Sequence, residues 1–183
     1  LMTRYLPPGL VAQIDMISAL ALGGERREVT CAFIEAIPYS VLAADLRPPQ
    51  AMATLNVFLE TATQVINDAN GIIDKYMGSE VMVLFNTQLN PMPDHALAAL
   101  RMSLELRDAF LALYERLGIA PDPHYYRMGI NSGVATLGNV GSLNRRSFTA
   151  IGDTINLSKR LEENAQAGQI IISEGVCSAI GHT

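Results

Sequence analysis

Four groups of residues carry the side chains that could do chemistry. Glu35 closes the apolar run Val29–Ile34 with a carboxylate. Lys75 puts a long cation beside the apolar residues Ile72 and Ile73, just before the turn Met77-Gly78-Ser79. Arg127 opens another strand-like run, Arg127-Met128-Gly129-Ile130. Asn156 and Arg160 are four residues apart in a helical stretch, so they share one face, one turn from each other. A guanidinium in such a pair can neutralise carboxylate or phosphoryl oxygens. Each group also has a plain structural reading: a snorkelling surface lysine, a cation at a strand start, a solvated i,i+4 polar pair. His95, His124 and His182 have no second histidine at ligand spacing, which argues against a histidine metal site. The Gly138-Asn139-Val140-Gly141-Ser142 stretch lacks the lysine of a Gly-x4-Gly-Lys-Ser/Thr phosphate loop.

The elements that must position these residues follow from periodicity. Asn70 to Phe85 reads as a β-hairpin turning at Met77-Gly78-Ser79, with Val81–Phe85 as its buried strand. Glu28–Glu35 is a buried strand. A helical lead-in covers residues 4 to 22, with Gly23-Gly24 ending it. Pro48-Pro49 breaks the chain before a helix over 50–68 with Leu55, Phe58, Leu59, Ala62 and Ile66 on one face. Asp94 caps a helix from His95 to Leu117 whose core stripe is Leu97, Leu100, Leu104 and Leu111, with His95 partly exposed. Strands follow at 125–130, 133–137 and 148–151, then a helix from Asp153 to about Ala167. A strand at Gln169–Ile172 and a helix capped by Ser173 close the chain. Few parallel crossovers are implied, so the expected class is α+β, a ferredoxin-like antiparallel sheet with helices packed on one face.

Bulk properties narrow the function. The 183 residues suffice for one domain with a real core. Hydrophobic residues make up 49% and charged ones 17%, which hints at a face buried against a partner. The net charge of −5 gives no case for nucleic-acid binding. No apolar run reaches the length of a membrane span, and no secretory signal pattern is present. Cys31 and Cys177, both in apolar segments, read as buried thiols in a reducing compartment, hence cytoplasmic.

Four segments in order, the hairpin 70–85, Asp94-His95-Ala96, the 127–142 region and Ile151-Gly152-Asp153-Thr154-Ile155-Asn156-Leu157-Ser158-Lys159-Arg160-Leu161-Glu162, resemble the class III adenylate and guanylate cyclase catalytic domain. The resemblance covers roughly residues 27 to 175 and marks 27–183 as the cyclase homology domain. Residues 1–26 then form a lead-in from an upstream sensor domain. It implies a dimer, homodimeric or with another cyclase domain, that joins the ribose 3′-oxygen of ATP to its α-phosphate and expels pyrophosphate. It implies Mg or Mn held by two aspartates. Lys75 and Thr149 match the base-reading pair in its adenine form, Asn156 and Arg160 the transition-state pair, and Arg127 a phosphate-binding arginine.

The chain departs from the pattern at both metal positions. Glu35 stands at the first, a carboxylate one methylene longer. Ser79 stands at the second, an uncharged hydroxyl that anchors a divalent ion poorly. Glu80, next to Ser79, is expected to point to the opposite face. The resemblance therefore implies an adenylate-cyclase-type domain in cyclic-nucleotide signalling that is impaired or silent as a homodimer. The alternatives are a half-site subunit complementing a metal-bearing partner, and an active adenylate cyclase with a rearranged metal site.

Overall fold

The computed structural model describes residues 24–119, 125–142 and 145–181. The expected lead-in helix at 4–22, and His124 and His182, lie outside these residues. The elements are β1 (Glu25–Glu35), α1 (Tyr39–Asp45), α2 (Pro48–Asp68), β2 (Ile72–Met77), β3 (Glu80–Phe85), α3 (His95–Leu117), β4 (Arg127–Ser142), β5 (Arg145–Ile151), α4 (Asp153–Asn164), β6 (Gln169–Ile172) and α5 (Glu174–Ile180).

The six strands form one sheet in the order β2-β3-β1-β4-β5, with β6 parallel to the start of β4. The other pairings are antiparallel. The α+β class expected from the sequence is the class observed. Side chains alternate across β1: Ala32 and Ile34 enter one core with Phe58 and Ile66 of α2, Met102 and Phe110 of α3 and Val176 of α5. Val29, Cys31 and Phe33 enter a second core with Met82, Leu84, Ala135, Leu137, Ala150 and Ile155 of α4. Helices therefore cover both faces of the sheet, and not one as the sequence suggested. That explains why β1 reads as a continuous apolar run.

Two glycines let α4 lie against the sheet. A Cβ on Gly129 would fall 2.2 Å from the backbone nitrogen of Glu162 and 2.4 Å from the carbonyl oxygen of Ser158. On Gly133 it would fall 2.9 Å from Thr154 Oγ1. Both glycines stand opposite second-core residues, Gly129 opposite Phe33 and Gly133 opposite Val29.

Several local expectations are corrected. Residues 125–130 and 133–137 are not two strands; β4 runs unbroken over 16 residues, because β1 pairs it from Glu35 to Glu25 without interruption. Pro48 and Pro49 start α2, since proline costs nothing at a first helical turn whose N–H groups have no partner. Asp94 sits at the N-cap of α3 without a side-chain capping bond. The core face of α3 is Ala96, Ala99, Met102, Leu106, Phe110 and Leu113; Leu104 is exposed and Leu97 only half-buried. His95 is buried, its Nδ1 2.6 Å from Thr30 Oγ1. Helix α4 ends at Asn164, short of Ala167. Cys31 is buried, and burial pushes its thiol up to about 12. Cys177 is exposed. Ser173 caps α5 as expected, accepting from the Val176 N–H.

Candidate active site

The β2–β3 hairpin closes on a tight turn in which Gly78 has φ +66°, a left-handed conformation that suits glycine. The turn docks on the end of β1: the Ala36 N–H donates to the Ser79 carbonyl at 3.2 Å. This brings the two metal positions of the resembled family together, with Ser79 Oγ 3.5 Å from Glu35 Oε1.

Glu35 is otherwise engaged. Its Oε2 accepts from Arg127 Nε at 2.7 Å and also from Arg127 Nη2. Arg127 stands directly across from Glu35 in the β1–β4 register. Glu80 stands across from Glu35 on β3 and so shares its face, contrary to the opposite-face expectation. Because Ser79 belongs to the turn, strand alternation starts only at Glu80. Lys159 of α4 reaches down to this end of the sheet and donates to Glu80 Oε2 at 2.6 Å and Glu162 Oε2 at 2.7 Å, passing 5.7 Å from the centroid of Phe33. Glu162 Oε1 lies 3.5 Å from Arg127 Nη2.

Three carboxylates, Glu35, Glu80 and Glu162, thus share two cations, Arg127 and Lys159. Burial pushes the Glu162 carboxyl up, and the Lys159 ammonium pulls it partly back. Burial works against the Lys159 charge, but the bonds to Glu162 and Glu80 outweigh it and hold the ammonium above its ordinary range. Such a cluster is a poor seat for a divalent ion. One Glu35 oxygen is taken by a guanidinium, Glu80 is held by an ammonium, and the second position offers a neutral hydroxyl. Among the described residues no group of three or more His, Cys, Asp or Glu is arranged to hold a metal ion.

The remaining candidates lie elsewhere on the second-core side. The register between β2 and β3 slips between Ile73 and Lys75, leaving Asp74 as the bulged residue. Lys75 then pairs with Met82, which belongs to the second core, so its side chain rises from that face. Thr149 comes from β5, the opposite edge of the sheet. The sheet curls so far that Thr149 Oγ1 donates to Asp74 Oδ2 at 2.8 Å. Lys75 Nζ lies 3.2 Å from the same oxygen. Burial pushes the Asp74 carboxyl up, and Thr149, Lys75 and the Ala150 N–H pull it back.

Asn156 and Arg160 are both exposed on α4. They line an open hollow of about 420 Å³ with Asn131, Ser132, Asp153, Thr154 and Leu157. Lys75 and Thr149 do not line it. The structure therefore keeps the pair Lys75–Thr149 together and the pair Asn156–Arg160 together, and commits Arg127 to Glu35. Sequence reading overlooked Asp74, Lys159 and Glu162. Only the Lys159–Glu162 spacing of three residues signalled a contact.

The curled sheet, the hairpin docked on β1 and the helix seated on Gly129 and Gly133 define a nucleotide-cyclase architecture. Residues 24–182 match the family described as Adenylate and Guanylate cyclase catalytic domain, and the chain belongs to it. It is 29% identical over 182 residues to adenylate cyclase 1 of Rhizobium meliloti, covering 96% of this chain and 27% of that protein. It is 33% identical over 131 residues to the terminal-differentiation-specific adenylate cyclase of Dictyostelium discoideum, covering 69% of this chain and 6% of that one. The chain thus spans about a quarter or less of these two relatives. Among solved structures, the adenylyl cyclase CyaB from P. aeruginosa superposes with a TM-score of 0.80 at 32% identity, covering 88% of this chain and 84% of that one. The guanylyl cyclase Cya2 superposes at 0.77 with 30% identity, covering 86% and 80%. Both base preferences occur among these relatives, so likeness does not choose the base.

Proposed function

We propose that this is an adenylate-cyclase-type domain of cyclic-nucleotide signalling that keeps the base-reading and transition-state residues and is impaired or silent as a homodimer. The observation that carries this reading is the state of Glu35: its carboxylate is bonded to Arg127, and its partner position is Ser79. In this reading Lys75 and Thr149 hold the adenine, Asn156 orients the ribose, and Arg160 neutralises charge growing on the phosphoryl oxygens. Phosphoryl transfer relies on positioning and charge neutralisation, and these four residues contribute the positioning and one of the cations. Arg127, placed by the resemblance on terminal phosphates, serves here as counter-ion to Glu35 and Glu162.

A second reading is a complementing subunit that forms cyclic AMP beside a metal-bearing cyclase domain. It is favoured by Asn156 and Arg160, whose side chains are exposed on an open hollow. Val134, Val140, Ile151 and Leu157 are also exposed on β4, β5 and α4, apolar surface suited to a second cyclase domain. Both readings carry a dimer, and an upstream sensor domain and a cytoplasmic setting remain part of the proposal. Among the described residues no helix is long and apolar enough to cross a membrane.

The test is cyclic AMP production from ATP with Mn²⁺, by the chain alone, by Ser79→Asp, and by the chain mixed with a cyclase domain bearing both aspartates. A silent wild type with activity in the mixture supports the half-site reading. Turnover by the wild-type homodimer overturns the impairment and leaves an active cyclase with a rearranged metal site. If the mixture and Ser79→Asp are both silent, Lys75, Asn156 and Arg160 no longer form a competent half.

A further inference from the structure

Asp74 is the one buried carboxylate of the β2 bulge: its side chain is only 2% exposed. A carboxylate removed from water needs partners. It finds them in the Thr149 hydroxyl at 2.8 Å and the Lys75 ammonium at 3.2 Å, both on Oδ2, and in the Ala150 N–H. The contact to Thr149 spans 75 residues and joins opposite edges of the sheet. We propose that Asp74 is a positioning residue that gives the Lys75–Thr149 pair its preference for adenine. This rests on the reading that the pair holds the base.

The argument is one of hydrogen inventory. A threonine hydroxyl has a single hydrogen and two lone pairs. With that hydrogen committed to Asp74, Thr149 can only accept from a ligand. The Lys75 ammonium has three hydrogens and no lone pair. One faces Asp74, and the others are free to donate. The two side chains together display one donor and one acceptor. The Watson–Crick edge of adenine offers the complement, an accepting N1 beside a donating 6-amino group. Guanine offers the reverse, a donating N1–H beside an accepting O6, and would set donor against donor and acceptor against acceptor.

Alanine at position 74 removes the constraint, whereas an asparagine would keep its carbonyl oxygen where Oδ2 accepts from both Thr149 and Lys75. Without that acceptor the threonine hydrogen is free to point at the ligand, and Thr149 no longer holds an accepting face toward the 6-amino group. A purely structural Asp74 would change stability and leave the ratio of the two affinities alone.

The experiment is equilibrium binding of ATP and of GTP to the 183-residue chain by calorimetry, for wild type, Asp74→Ala, Asp74→Leu, Asp74→Asn and Thr149→Val, with circular dichroism to confirm folding. Wild type is expected to favour ATP by at least about tenfold, since a site built around a hydrogen bond rejects the mismatched analogue strongly. Asp74→Ala is expected to lower that ratio by about threefold or more by the same reasoning, and Asp74→Asn, which keeps an accepting oxygen, to retain it. Asp74→Leu, which cannot accept, tests the inference even if Asp74→Ala does not fold. A folded Asp74→Ala or Asp74→Leu that keeps the wild-type ratio overturns the inference and leaves the base-reading pair standing. A Thr149→Val that keeps the preference removes Thr149 from the pair and takes the inference with it. If wild type binds neither nucleotide, or both equally, the assignment of the pair itself falls, and the inference with it.

Discussion

Replacing Gly129 by alanine is expected to destabilise the domain sharply, although nothing in the backbone conformation there demands glycine. The added Cβ would lie 2.2 Å from the Glu162 nitrogen, 2.4 Å from the Ser158 oxygen and 2.8 Å from the Leu161 carbonyl carbon. Ordinary contacts between heavy atoms begin near about 3.5 Å. All three neighbours are backbone atoms of α4, so no rotamer change relieves the clash; the helix must move by roughly 1 Å. Overpacking of this kind costs about 1–3 kcal/mol, and an unyielding backbone places Gly129 at the upper end. Alanine recovers about 0.4–1 kcal/mol by restricting the unfolded chain. The net loss is about 2 kcal/mol. Gly133→Ala is the internal comparison. Its nearest neighbour is Thr154 Oγ1 at 2.9 Å, a hydroxyl that can rotate away by giving up its bond to the Val134 carbonyl. That bond is worth about 1 kcal/mol, so the loss and the gain nearly cancel. Urea unfolding followed by far-UV circular dichroism measures both, through the midpoint at constant m. The reasoning fails if Gly129→Ala unfolds within about 0.5 kcal/mol of wild type, the range of an ordinary surface change. It fails equally if Gly133→Ala costs as much. Because α4 carries Asn156 and Arg160, the same 1 Å displacement should reduce activity in a complemented dimer by about 100-fold.

Further expectations follow from the same coordinates. Lys159→Met removes the ion pair of Glu80 and leaves the buried Glu162 beside Arg127 alone among the described residues, and should cost about 2 kcal/mol for this partly exposed cation; adding Glu162→Gln should recover much of it, and a double-mutant cycle by urea unfolding checks the coupling. Burial holds the His95 imidazole below its ordinary range, outweighing Glu28 and Asp94. The unfolded chain therefore binds the proton more readily, and stability present above about pH 6.5 is lost as pH falls toward the lowered value. The slope cannot exceed about 1.4 kcal/mol per pH unit for one proton, and His95→Gln should flatten it in unfolding curves between pH 5 and 8. A thiol reagent at pH 8 should label Cys177 in the native protein and Cys31 only on unfolding, because Cys31 is buried with its thiol pushed up to about 12; rapid native labelling of a Cys177→Ser variant would contradict this.

What was readable in the chain was local. The alternation in β1, the apolar run of β3, the turn at Gly78 and the single-turn spacing of Asn156 and Arg160 depend on neighbours a few residues away, and periodicity reports those directly. The face of α3 was not readable, because leucines lie all round that helix. The inside face carries Ala96, Ala99 and Ser103 beside Met102, Leu106 and Phe110, while Leu104 stays in water. The two interaction sets that define the site were also hidden. Lys159 meets Glu80 across 79 residues and Thr149 meets Asp74 across 75. The first exists because Gly129 and Gly133 admit α4 onto the sheet, and the second because the sheet curls until its outer strands touch. The resemblance to the cyclase family singled out Glu35, Ser79, Lys75, Asn156 and Arg160 along the chain. Only the tertiary structure decided that Glu35 would be tied to Arg127, and that a bulged aspartate would hold the hydrogen of Thr149, since charge and hydrogen-bond direction are set by partners brought together in space.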